Sequence, residues 1–140
     1  MKVVFDSNIV LDAYMKRDPF NENSAAVLKL SEFGGVDGRI TANSVTDIYY
    51  VLKRYLNDED KAIESLKKLI STVSVADILS SDVDTAFDLG FSDFEDALLS
   101  SCAVRIGSDF IITRNIKDFE KSPVAPITPT NFLKLYKESE

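Results

Sequence analysis

Short β-branched runs alternate with longer amphipathic stretches along the whole chain, and this alternation constrains the fold more than any other feature. KVVFD (2–6) suits a buried strand, and SNIVLDAYM (7–15) after it reads as a helix. NENSAAVLKLSEF (21–33) carries Ala25, Leu28 and Leu30 on helical spacing and stops at Gly34-Gly35. RITA (39–42) is a second strand, SVTDIYYVLKRYL (44–56) and DEDKAIESLKKLIST (58–72) are helices, and VSVA (73–76) is a third strand. SDVDTAFDL (81–89) is a helix stopped by Gly90, a residue type suited to the left-handed turn beyond a helix C-terminus. GFSDFEDALLSSCAVRIGSDFIITRNIKDF (90–119) supplies a further helix and a fourth strand, DFIIT (109–113). APIT (125–128) reads as a fifth strand before the helix TNFLKLYKES (130–139). Strands separated by one or two helices imply parallel βαβ units with right-handed crossovers. The expected fold is therefore α/β, a three-layer α/β/α sandwich around a central parallel sheet of four to five strands. With no repeat and no linker in 140 residues, 1–140 reads as a single domain.

Composition narrows the chemistry. There is no histidine, so Ser-His-Asp and Cys-His nucleophilic catalysis and His-ligated zinc are excluded. No GxGxxG or GxxxxGK[ST] occurs, so dinucleotide and P-loop readings lack their phosphate cradle. Any catalysis must run on carboxylates, amides, hydroxyls and lysines, with or without a metal ion. The single cysteine, Cys102, lies among apolar helix positions and reads as core, which fits a reducing, cytoplasmic setting. No apolar run approaches the roughly 18 residues of a membrane span, and the N-terminus does not read as a signal peptide. The net charge of −7 argues against a bulk electrostatic grip on nucleic acid. Carboxylates gathered for divalent cations would inflate that count, and the bound cations would reverse the local sign.

In parallel sheets, function gathers beyond the carboxyl ends of the strands. Four polar clusters sit at such ends or at helix starts. Asp6 closes strand one, with Ser7 and Asn8 opening the next helix; capping by Asp6 or Ser7 is the purely structural account. Asp47 sits in Ser44-x-x-Asp47, which resembles a capping box with Asp in place of Glu. Ser92-x-x-Glu95 is a better capping box and assigns Glu95 to structure. Asp93 and Asp96 share a helix face, and Asp96 borders the buried Ala97-Leu98-Leu99 stripe. Helix-dipole stabilisation accounts for both acids, but paired carboxylates beside an apolar stripe repel and lose solvation, and a cation relieves both penalties. Asn115 follows strand four, flanked by Thr113 and Asp118, a turn and cap on the structural reading. Together these oxygens suit Mg²⁺ or Mn²⁺, which orient a phosphodiester and activate water for in-line attack.

VVFDSNIVLDAY, NSVTDIYYVLKR, SDFEDALLSSCAVRIGSDFIITRNIKDF and PITPTNFL resemble the PIN domain, particularly its single-domain prokaryotic branch with the VapC-type toxins. The resemblance runs from residue 1 to about residue 133, in the family's order. It implies a Mg²⁺- or Mn²⁺-dependent endoribonuclease with RNA as substrate, an antitoxin protein as partner, and homodimerisation, for which Tyr49, Tyr50 and Tyr55 are candidates. It carries over Asp6 (with Ser7 and Asn8 at the usual Thr-Asn), Asp47 at a usual Glu, Asp93, Asp96, and Asn115 at a frequent Asp. In this reading Asp6, Asp93, Asp96 and Asn115 bind metal, and Asp6, Asp47 and Asp96 are catalytic. Ser7, Asn8, Thr113 and Asp118 support them. Of Lys16, Arg17, Lys53, Arg54, Arg114 and Lys117, the pair flanking Asn115, Arg114 and Lys117, are the leading RNA contacts. Two rivals remain: a catalytically weak or inactive RNA-binding or interaction module on the same fold, and a haloacid-dehalogenase-type phosphatase. The latter wants a second Asp two residues after the first, where this chain has Asn8.

Overall fold

The computed structural model describes residues 1–139; Glu140, the last residue of the expected domain, lies outside the described residues. Five strands form one all-parallel sheet: β1 (Lys2–Phe5), β2 (Asp37–Thr41), β3 (Ser74–Ala76), β4 (Phe110–Ile112) and β5 (Ala125–Ile127), in the order β3-β2-β1-β4-β5. Among the described residues seven α-helices accompany them, six between strands and the last after β5: α1 (Ser7–Tyr14), α2 (Asn21–Glu32), α3 (Ser44–Leu56), α4 (Glu59–Thr72), α5 (Ser80–Asp88), α6 (Phe94–Arg105) and α7 (Pro129–Glu138). A 3₁₀ turn, Ile116–Phe119, follows β4. The expected strands and helices all form, with ends displaced by one or two residues.

Alternation along the strands builds two cores. Val3, Phe5 and Ile112 join Ile9, Val27, Ile48, Leu66 and Phe132 on one face, while Val4 and Ile111 join Leu99, Ala103 and Phe119 on the other. Both faces being covered, the central strands read as nearly continuous apolar runs. Cys102 is fully buried, as its apolar neighbours implied. Gly90, two residues beyond α5, has φ +73, a left-handed conformation that lets the chain turn sharply into α6.

Strand order positions the site. From β1 the chain winds outward through β2 to β3, then returns to place β4 on the other side of β1. Right-handed crossovers therefore put the helices of the two halves on opposite faces. The order reverses between β1 and β4, which opens a crevice at their carboxyl ends. Asp6 and Thr113 are the first residues beyond those two strands.

Candidate metal centre

The crevice is tied together by one buried hydrogen bond: Thr113 Oγ1 donates to Asp6 Oδ2 at 2.9 Å, and accepts from the Asn115 N–H at 3.0 Å. Asp6 is 7 % exposed. Burial pushes its carboxyl up, against the opposing pull of Thr113, the Asn8 and Ser7 amides and the Arg114 guanidinium. Asp6 stands at the N-cap position of α1 without a well-formed side-chain cap bond; its Oδ2 accepts from Thr113 across the crevice, with the Ser7 and Asn8 amides nearby.

α6 delivers the other acids. Asp93 is its N-cap, with extended backbone and Oδ1 accepting the Asp96 N–H at 3.1 Å. The expected Ser92-x-x-Glu95 box is thus absent: the helix begins one residue later, so Glu95 is at its second position and cannot reach back to a cap at Ser92. Glu95 instead faces the crevice. Burial raises its carboxyl, followed by the charge of Asp47, a hydrogen bond shared with Asp47, and the charges of Asp93 and Asp6. Asp96 is pushed up to about 7 by burial first, then by Asp93, Asp6, Asp118 and Glu95. The Ser44-x-x-Asp47 box is also absent, since Ser44 Oγ turns back to donate to Thr41 O at 2.7 Å.

Two adjoining clefts share Asp96. The narrow one is lined by Asp6, Ser7, Thr41, Asn43, Ser44, Glu95 and Asp96. The wider one, about 440 Å³, is lined among others by Asp93, Asp96, Lys117, Asp118 and Lys121. Asp6, Ser7, Asp93, Asp96, Asp118 and Lys117 therefore line these two clefts, Thr113 adjoins them through its bond to Asp6, and the Asn8 amide lies near the Asp6 carboxylate. Asp47 is exposed on the first turn of α3 and joins through Glu95. Asn115 lines neither cleft, and its side chain makes no hydrogen bond among the described residues. Arg114 lines neither of these clefts, with Nε on the fully buried Asp12 Oδ2 at 2.8 Å and its guanidinium 4.6 Å over the Phe20 ring.

Two residues of this constellation escaped sequence reasoning. Asn43 follows β2, so the strand-end rule that located Asp6 would have located it too. Its Oδ1 is buried in the narrow cleft without a hydrogen-bond partner. Glu95 was hidden by a capping motif that does not form. Among the described residues no group of three or more acid or thiol side chains closes into a metal cage. The donors nevertheless fit a hard cation: an orphaned amide oxygen and mutually repelling carboxylates share one cleft.

A family model described as a PIN domain matches residues 2–117. The fold is similar to that of a chain in VapBC2 from Rickettsia felis bound to a DNA fragment from their promoter. That match has TM-score 0.73 and 17% identity, and covers 91% of this chain and 98% of that one. FitAcB from Neisseria gonorrhoeae matches with the same values. A toxin-antitoxin complex from Klebsiella pneumoniae matches with TM-score 0.68 and 22% identity, covering 91% and 97%. No curated protein matches the chain significantly.

Proposed function

The chain belongs to the PIN domain family, and we propose that it is a divalent-metal-dependent endoribonuclease, the toxin of a toxin–antitoxin pair. The observation that carries this reading is the convergence of Asp6 and Asp96, far apart in sequence, at the sheet's switch point, with Asp96 pushed up to about 7. Paired acids at so high a carboxyl pKa favour a cation over two free charges.

Asp6, Asp96 and Asp93 would hold Mg²⁺ or Mn²⁺ with the orphaned Asn43 Oδ1, and Asn115, which lines neither cleft, would reach the ion only through a bridging water. Mg²⁺ commonly takes one or two carboxylates, waters and substrate phosphate rather than an all-protein cage, so the open arrangement suits it. When bound, the ion supplies Lewis-acid polarisation of the phosphodiester and a lowered pKa for water. The chain's own residues do the rest. Thr113 fixes the orientation of Asp6. Glu95, its carboxyl raised at the cleft edge, would serve as the acid–base group, and Asp47 beside it would position the attacking water. Lys117, in the wider cleft, meets the RNA backbone.

Antitoxin binding is proposed from the relatives in the toxin-antitoxin complexes. Homodimerisation is proposed from Tyr50 and Tyr55, 58% and 51% exposed and so not explained by core packing. No described helix is long and apolar enough to cross a membrane; a cytoplasmic location and a single domain over 1–140 complete the reading. The test is cleavage of RNA with Mn²⁺, lost on Asp96→Asn. The short Asp47 and the uncharged Asn115 favour one alternative, a catalytically weak or inactive RNA-binding or interaction module on the same fold. RNA binding without cleavage by the wild type at saturating Mn²⁺ would establish it instead.

A further inference from the structure

Arg114 lines a separate cleft of about 340 Å³ with Asp12, Phe20, Ser24, Thr128 and Thr130. We propose that this cleft is an oxyanion site holding a backbone phosphate of the bound RNA. Its identification with RNA rests on the ribonuclease reading above; the oxyanion site itself does not.

Three donors converge there. The Ser24 hydroxyl is fully buried, lines the cleft and has no hydrogen-bond partner. A buried hydroxyl left unmatched is costly, and an anion supplies the missing acceptor. The N-terminus of α7 also opens here. Its cap, Thr128, accepts the Asn131 N–H at 3.2 Å, and Pro129 has no N–H. The Thr130 N–H makes no hydrogen bond among the described residues and stands at the positive end of the helix. The third donor is Arg114, whose planar fork has N–H groups beyond those that meet Asp12. Asp12 is the one carboxylate lining the cleft. Its oxygens are already taken by Arg114 at 2.8 and 3.4 Å and by Arg17 at 3.4 Å, so two guanidiniums face one acid and leave positive charge in surplus. Arg114 directly follows Thr113, which holds Asp6, so the same backbone segment links this cleft to the acids. An RNA strand with one phosphate at Asp96 and another at Ser24 and Thr130 would be held at two points.

Thr130 is exposed in the first turn of α7, where glutamate suits the helix dipole, so Thr130→Glu folds while closing the cleft to anions. Thr130→Gln is the neutral control. Inorganic phosphate at low ionic strength should raise the wild-type Tm saturably and shift the Thr130 amide resonance. Both effects should vanish in Thr130→Glu and largely persist in Thr130→Gln. No effect on the wild type, or an equal effect on Thr130→Glu, overturns the site. In an Asp96→Asn background, a random-sequence single-stranded RNA pool should bind about three- to fivefold more weakly after Thr130→Glu. The salt slope of log K should also fall by about 0.7. Phosphate binding lost with RNA affinity and slope unchanged overturns RNA as the occupant. Phosphate binding by a wild type that binds no RNA leaves the oxyanion site standing and removes the ribonuclease reading.

Discussion

Asp96 carries the largest electrostatic tension in the protein: a half-buried carboxyl facing Asp93, Asp6, Asp118 and Glu95. Its folded-state pKa, about 7, lies above the ordinary aspartate value of 3.8, so the folded form binds a proton that the unfolded chain has released. The stabilisation it provides is complete below about pH 4 and is lost as pH rises through 7. Asp96→Asn should therefore stabilise the metal-free protein by about 1–2 kcal/mol at pH 8, less than the full shift because the carboxyl is only half buried. The difference should shrink to nothing near pH 4, as urea unfolding at the two pH values will measure, while RNA cleavage is abolished. Thr113→Val removes the donor to Asp6 and should cost about 1–2 kcal/mol in urea unfolding. At this scale, Asp6 was legible as a strand-end acid and Asp96 as an acid bordering an apolar helix stripe, and the fold brings both to one cleft. Glu95 and Asn43 were not legible: one depends on a one-residue shift in the helix start, the other on which side-chain oxygen lacks a partner after folding.

At the scale of elements, the start of α6 places two demands on one residue. Asp93 caps the helix through Asp96 N–H and also faces the wider cleft. Asn caps about as well as Asp, so Asp93→Asn should leave Tm nearly unchanged while weakening Mn²⁺ binding. Asp93→Ala should lose both the metal affinity and about 1 kcal/mol of stability. Equal Mn²⁺ affinity in Asp93→Asn and wild type would reduce Asp93 to a cap. Arg114 is the reverse case, a residue expected at the acids that the fold uses against Asp12. Arg114→Met leaves the fully buried Asp12 with Arg17 alone, at 3.4 Å, and should destabilise by about 3 kcal/mol in urea unfolding. Periodicity located every element, because β-branched strands and amphipathic helices follow from local spacing. The side-chain partners at their ends did not follow, because Asp12 and Arg114 are 102 residues apart and meet only through the sheet order.

For the whole molecule, a parallel sheet whose order reverses between β1 and β4 gathers acids that are distant in sequence into one crevice. That arrangement was readable in outline from the alternation of elements, which implied parallel crossovers and a carboxyl edge. The strand order itself was not, since it depends on which side of β1 the chain returns to. Asp6, Glu95 and Asp96 are all raised, so in metal-free buffer the crevice favours the fold at acid pH and opposes it above 7. A cation that replaces those protons should stabilise more at pH 8 than at pH 6, and differential scanning calorimetry with and without Mn²⁺ at both pH values will show the difference. The most direct test of the central claim is calorimetric titration of Mn²⁺ into wild type and Asp96→Asn at moderate ionic strength and pH 8. Saturable binding by the wild type, lost or greatly weakened in the variant, is the predicted result. Equal binding by both proteins would contradict a metal centre at Asp96.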